Sequence, residues 1–266
     1  MSLSAFPDDF PLDGVHLGDC VELLRKLPDG CAQLVIADPP YNLGPRFGLE
    51  KEWVRDEKWL PWCREWLGEC KRILADDGNL MVYGIHHYLC YLQTHLYEID
   101  MRYRRQIIWF YENGFTTYRR SLATHYEPLL WFSKSENYYF EEIREPYKSQ
   151  ERLKSPITKN GKVWTPHPDG RLAGDVWNFP TLAGRRFRDE KVEHPTQKPL
   201  SVTDRIVRHF SADGAIIVVP FAGSGTECVS AANNGRHYWG CEIKPEYVAL
   251  AESRLGESPP IQTALW

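Results

Sequence analysis

Apolar, strand-like runs alternating with segments of helical spacing predict an α/β domain. Its sheet is expected to be mostly parallel, with helices on both faces. Three observations carry this. The runs are short and end on turn residues, the segments between them repeat with a helical period, and the alternation resumes after a long irregular stretch. Residues 34–37 form the first run, which stops at "DPPY" because proline cannot continue a central strand. "EKWLPWCREWLGECKRIL" then places Leu60, Cys63, Leu67, Cys70 and Leu74 on one helical face, with "DDG" at 76–78 expected to end that helix. "NLMVYG" reads as the next buried strand, 87–97 as a helix, and 103–111 and 127–133 as strands.

From 112 to 191 the pattern weakens, as in "KSPITKNGKVWTPHPDGRLAGD". That is too long for a simple connection, so an inserted lobe is expected there. It divides the chain into a first part (1–111), an insertion (112–191) and a second part (192–266). The second part carries a helix in "PLSVTDRIVRHF", a strand in "AIIVVP" and a helix in "SGTECVSAAN", with Gly235 just past its end. It closes with a strand in "HYWGCEI" and a helix that starts at Pro245.

Composition narrows the function classes. The 266 residues are 42% hydrophobic and 26% charged, the balance of an ordinary globular protein. No apolar stretch is long enough for a membrane span, and the N-terminus shows no secretory pattern, so a cytoplasmic protein is expected. Seven scattered cysteines without a C-x-x-C pair argue against a zinc site or a disulfide framework, so no metal is expected. The net charge of −4 does not advertise nucleic-acid binding, yet basic residues bunch in the middle third. Arg119 and Arg120, then Arg185, Arg186 and Arg188, are the candidates for facing a polyanion.

Two short motifs carry chemistry. "ADPPYNLG" sets a carboxylate (Asp38) and an aromatic ring (Tyr41) on a rigid turn at a strand end. "VVPFAGSGT" lies between a strand and a helix, where Gly223 and Gly225 permit a tight turn and a close backbone approach. It lacks the third glycine of the dinucleotide fingerprint and the G-K-[ST] of a triphosphate loop. Glu242 follows about twenty residues later, where a carboxylate can accept hydrogen bonds from ribose hydroxyls; capping the next helix is the plain alternative. All three fall just after candidate strands, and in an open α/β sheet such ends share one rim.

"DPPY" at 38–41, "HPTQKP" at 194–199 and "FAGSGT" at 221–226, in that order, resemble the amino-group DNA methyltransferases of the β class. "GDCVELLRKLPDG", "HYEPLLWFSK" and "DVWNFP" extend the resemblance over nearly the whole chain. It implies a Rossmann-like methyltransferase fold, S-adenosylmethionine as cofactor, duplex DNA as partner, and a homodimer as an option. The insertion becomes a target-recognition lobe. Phe221, Ala222, Gly223, Ser224, Gly225 and Thr226 would hold the methionine portion, and Glu242 the ribose. Asp19 and Cys20 would lie at the adenine, with Lys198 at the cofactor carboxylate. The sequence departs from many relatives at Val219 and Pro220, where an acidic residue is usual. That removes a partner for the cofactor's ammonium group, a loss Asp38 is expected to cover in part.

The resemblance also implies a mechanism. The exocyclic amine of a base is a poor nucleophile, because its lone pair is delocalised into the ring. The Asp38 carboxylate and the Pro39 carbonyl would each accept one N–H, turning the lone pair toward the donated methyl. Pro40 helps fix that geometry, and Tyr41 would stack on a flipped-out base. Asp38 favours adenine N6, since relatives acting on cytosine N4 more often carry Ser there. Cytosine N4, and a catalytically silent DNA-binding relative, remain the alternatives.

Overall fold

The long amphipathic helix shows how the sheet is covered. Trp59, Cys63, Trp66, Leu67, Cys70 and Ile73 recur at helical spacing and are all buried. Trp59 and Trp66 carry the face expected from Leu60, which is only half-buried. The computed structural model describes residues 6–42, 56–84, 87–114, 120, 122–154 and 156–257. In chain order its elements begin with β1 (Gly14–Leu17), α1 (Cys20–Leu24), β2 (Ala32–Ala37), α2 (Asp56–Ile73) and β3 (Leu74–Tyr83). Then come α3 (Leu89–Glu98), β4 (Arg102–Phe110), β5 (Tyr126–Ser133), β6 (Arg144–Glu145), β7 (Ile157–Lys159) and β8 (Lys162–Trp164). The chain continues through β9 (Arg171–Leu172), β10 (Val176–Asn178), α4 (Leu200–Phe210), β11 (Ile216–Val219), α5 (Thr226–Asn233), β12 (His237–Glu242) and α6 (Pro245–Glu257).

Eight strands form one sheet in the order β1-β12-β11-β2-β3-β5-β4-β10. Neighbours run parallel except β5, which is antiparallel to both β3 and β4. Side chains alternate between two cores, as strand geometry requires. Val35 of β2, Leu80 and Val82 of β3 and Val218 of β11 join α1, α2 and α3 on one face. Leu34 and Ile36, Met81, and Ile217 and Val219 join α4, α5 and α6 on the other.

Two expectations are corrected. "DDG" does not precede the strand but lies inside β3, where the register jumps from Ala32↔Leu74 to Leu34↔Asn79 and residues 75–78 bulge out. The stretch 112–191 is not wholly outside the main sheet: β5 lies inside it, between β3 and β4, and β10 at its edge. What stands apart is the segment between them, with the two-stranded pairs β6–β9 and β7–β8. Tertiary pairing of apolar β5 outweighed the irregular sequence around it.

Strand order reverses between β2 and β11. From β2 the chain steps outward through β3; from β11 it steps the other way through β12. A crevice opens at such a switch point, at the carboxyl ends of the strands.

Phe210, at the end of α4, meets Trp131 of β5 with ring centroids 4.7 Å apart and also packs on Phe140. Phe210→Ala should lower the unfolding free energy by roughly 3–5 kcal/mol in urea titration. A loss below about 1 kcal/mol would show that this aromatic cluster does not tie α4 to the sheet.

Candidate active site

The crevice is a cleft of about 500 Å³. Asp19, Cys20, Asp38, Pro39, Pro40, Tyr41, Lys198, Phe221, Ala222, Gly223, Ser224 and Glu242 all line it. Residues far apart in sequence thus meet on one rim, as the strand ends predicted.

Asp38 is placed by the end of β2 and the prolines behind it. The Trp59 indole N–H donates to the Pro40 carbonyl at 2.9 Å, which pins the turn to α2. The Tyr41 hydroxyl donates to Asp38 Oδ1 at 2.5 Å, and Lys198 Nζ lies 2.8 Å from Asp38 Oδ2. A carboxylate offers about four lone-pair sites, so two remain for a further donor. Lys198 Nζ also lies 3.2 Å from Glu127 Oε2, and its side chain is only 3% exposed. Burial alone would lower the Lys198 pKa, yet Asp38 and Glu127 hold it above the usual lysine range. Burial pushes the Glu127 carboxyl up, Lys198 opposes this, and the Asp38 charge adds to it. Lys198 was expected at the cofactor carboxylate; within the protein its charge is matched by Asp38 and Glu127.

The glycine loop follows β11. Gly223 has φ +49° and a Cβ there would meet His194 Nε2 at 3.0 Å. Gly225 has φ +75° and a Cβ there would lie 2.6 Å from Ala251 Cβ on α6. Glycine is required at both, for handedness and for room. Gly225 and Thr226 do not line the cleft; they brace it from behind. Arg254 of α6 donates to the Ser224 carbonyl at 2.6 Å and to Thr226 Oγ1 at 2.9 Å. Glu242 accepts from the Gly223 N–H at 2.9 Å and the Lys244 N–H at 3.0 Å, so it fixes the loop as well as facing the cleft. Asp19 caps α1, accepting from Val21 and Glu22. Cys20 is buried, and burial pushes its thiol far up, so no thiolate nucleophile forms.

Arg120, Arg185, Arg186 and Arg188 are exposed and outside the cleft lining. None of these four makes an ion pair among the described residues; Arg119 lies outside those residues. Other basic residues of the middle third are taken up structurally. Arg104 pairs with Glu136 and covers the Tyr138 ring, and Arg144 and Arg171 pair with Glu142 and Glu145. Arg185–Phe187 forms a short turn on the segment that leads to His194 and Lys198. Gln197 ties that segment together through Val192 N–H and the Glu190 carbonyl.

A family model described as a DNA methylase, of the N6 and N4 enzymes, matches residues 32–253. The chain belongs to that family. It is 31% identical to the type II methyltransferase M1.MboII of Moraxella bovis over 261 residues, covering 92% of this chain and 97% of that one. It is 31% identical to the DNA adenine methyltransferase YhdJ of Escherichia coli (strain K12) over 243 residues, covering 90% and 81%. The solved cytosine-N4-specific PvuII DNA methyltransferase shares the fold with a TM-score of 0.68 at 17% identity, covering 91% of this chain and 88% of that one. This chain is thus an amino-group DNA methyltransferase. Its fold is the Rossmann-like one that the motif order implied.

Sequence reading missed three groups that line the cleft of this DNA methylase and a fourth that touches one of its lining residues. Glu127, the second residue of β5, reaches the Lys198 ammonium; a carboxylate just ahead of an apolar run was the available signal. His194 lines the cleft, packs on Tyr247 with centroids 4.5 Å apart, and is pushed down by burial to about 4, so it stays neutral. Trp62 lines the cleft and packs on Phe221 at 5.6 Å; nothing in its helical spacing marked it. Glu227 also lines the cleft and was read only as a residue of a helix. Among the described residues no cluster of metal-ligating side chains occurs, and no helix is long and apolar enough to cross a membrane.

Gly225→Ala should destabilise the fold by roughly 1–3 kcal/mol, since strained φ and a clash with Ala251 combine. It should also weaken cofactor binding, read by calorimetry at a temperature where the variant is folded. Unchanged stability would contradict the close α5–α6 packing.

Proposed function

We propose that this chain transfers a methyl group from S-adenosylmethionine to N6 of adenine in duplex DNA, acting on a base flipped out of the helix. The observation that carries the reading is the Asp38 carboxylate. It is fixed at the switch point of the sheet beside the glycine loop and retains acceptor capacity toward the cleft. S-adenosylmethionine supplies an electrophilic sulfonium methyl. The residues present suit it: a tight glycine loop with positive φ at Gly223 and Gly225, Glu242 facing the ribose position, and Asp19 at the adenine end.

The protein's own part is orientation. Asp38 accepts one N–H of the target amine and the Pro39 carbonyl the other, which aims the lone pair at the methyl group. Tyr41, held by its hydroxyl on Asp38, presents its ring to the base. Stacking there returns roughly 1–3 kcal/mol of the few kcal/mol that flipping costs. Lys198 holds the Asp38 carboxylate in place through its ion pair. Adenine is favoured by Asp38 in the first motif position and by the similarity to YhdJ, a DNA adenine methyltransferase. The segment between β5 and β10, together with the Arg185–Arg188 turn, would meet DNA phosphates and base edges as the recognition lobe.

Asp38→Ala should abolish methyl transfer to DNA while S-adenosylmethionine binding, measured by calorimetry, stays within about threefold. Full transfer by that variant sinks the mechanism. Replacing Arg185, Arg186 and Arg188 by Gln should weaken DNA binding and make the log K against log salt slope shallower by up to about 3. An unchanged slope would remove that turn from the DNA interface.

A further inference from the structure

Resting on the reading that the cleft holds S-adenosylmethionine, we propose that Glu227 receives the ammonium group of the cofactor's methionine end, in place of the acidic residue missing at position 219. Four observations lead there. Val219 is 1% exposed and packs into the core, so nothing at the end of β11 offers a charge. Asp38, which was expected to cover the loss, holds Lys198 and Tyr41, and its remaining acceptor capacity is the part given to the target amine. Glu242 accepts the backbone N–H groups of Gly223 in the glycine loop and of Lys244, and Asp19 accepts those of Val21 and Glu22. Glu227 lines the cleft, is 4% exposed, and its Oε1 is buried with no hydrogen-bond partner among the described residues.

A buried carboxylate oxygen without a partner is costly. A ligand cation entering the cleft removes that cost, and a charge-assisted hydrogen bond is among the stronger ones. The position is also tolerant of an anion. Glu227 is the second residue of α5, and the helix dipole favours negative charge in the first turn. A preorganised acid of this kind does the work of one on the preceding strand, from the opposite side of the same glycine loop.

The site has a pH signature. Burial, and next the charge of Asp38 from the end of β2, push the Glu227 carboxyl up to about 7. Its own backbone N–H, Lys198 ahead of α4 and Arg254 of α6 act in the other direction. Tyr83 of β3 and Cys228 of α5 also feel its charge, but both are pushed up and stay neutral. His194, lowered to about 4, does not titrate near neutrality. As pH rises through 7, Glu227 becomes the anion, so affinity for an ammonium-bearing ligand rises.

The test compares two non-reactive ligands by calorimetry. S-adenosylhomocysteine carries the ammonium group; methylthioadenosine lacks the amino-acid end. Glu227→Gln should weaken S-adenosylhomocysteine about tenfold or more and leave methylthioadenosine within about twofold. In the wild type, S-adenosylhomocysteine should bind more tightly at pH 7.5 than at pH 6, and Glu227→Gln should lose that dependence. The wild-type pH series needs no variant, so a poorly folding substitution does not remove the test. Equal weakening of both ligands, or unchanged S-adenosylhomocysteine affinity with no pH slope, overturns the assignment. Failure of the wild type to bind either ligand would instead overturn the cofactor reading, and the Glu227 assignment with it.

Discussion

A buried ammonium held between two carboxylates organises this protein's site. Lys198 comes from the segment ahead of α4, Asp38 from the end of β2, and Glu127 from the start of β5. They meet only when the two halves of the sheet close on each other. Taking the lysine away would leave two carboxylates facing each other with little water, a loss of several kcal/mol. The same contact holds the Asp38 carboxylate in a fixed position. Folding and the chemistry proposed at Asp38 therefore lean on one interaction.

The cofactor end is built on a different constraint, which is space. The loop after β11 passes so close to His194 and to α6 that two of its positions accept only glycine. Arg254, Glu242 and the Ala222 N–H bond to the Cys241 carbonyl hold that loop from three sides. Its shape therefore precedes any ligand. Such preorganisation lowers the cost of binding and lets the methyl group be presented in a fixed direction.

Much of this was legible in the sequence, and the exceptions have physical causes. The strand and helix runs of β2, α2, β11, α5 and β12 could be read because each buries a periodic apolar set. β1 escaped because "GVHL" is four residues long with a single buried position. The extent of the inserted lobe was misjudged because β5 is strand-like in sequence but sits in an irregular neighbourhood. Only its pairing with β3 and β4 reveals its place. Asp38, Tyr41, the glycine loop and Glu242 stood out because they fall just after candidate strands, on one rim, and fit one motif order. Glu127, His194 and Trp62 did not, since their importance comes from what they touch across the fold. Lys198 was singled out as a cation near an anion, yet its partners proved to be protein carboxylates.

The central claim is that this site methylates the amino group of adenine. The direct measurement is mass spectrometry of nucleosides after the protein has acted on unmethylated duplex DNA of mixed sequence with S-adenosylmethionine. The account predicts N6-methyladenine. N4-methylcytosine would contradict the role given to Asp38 in choosing the base, and bound cofactor with no methylated nucleoside would contradict the assignment of DNA as substrate.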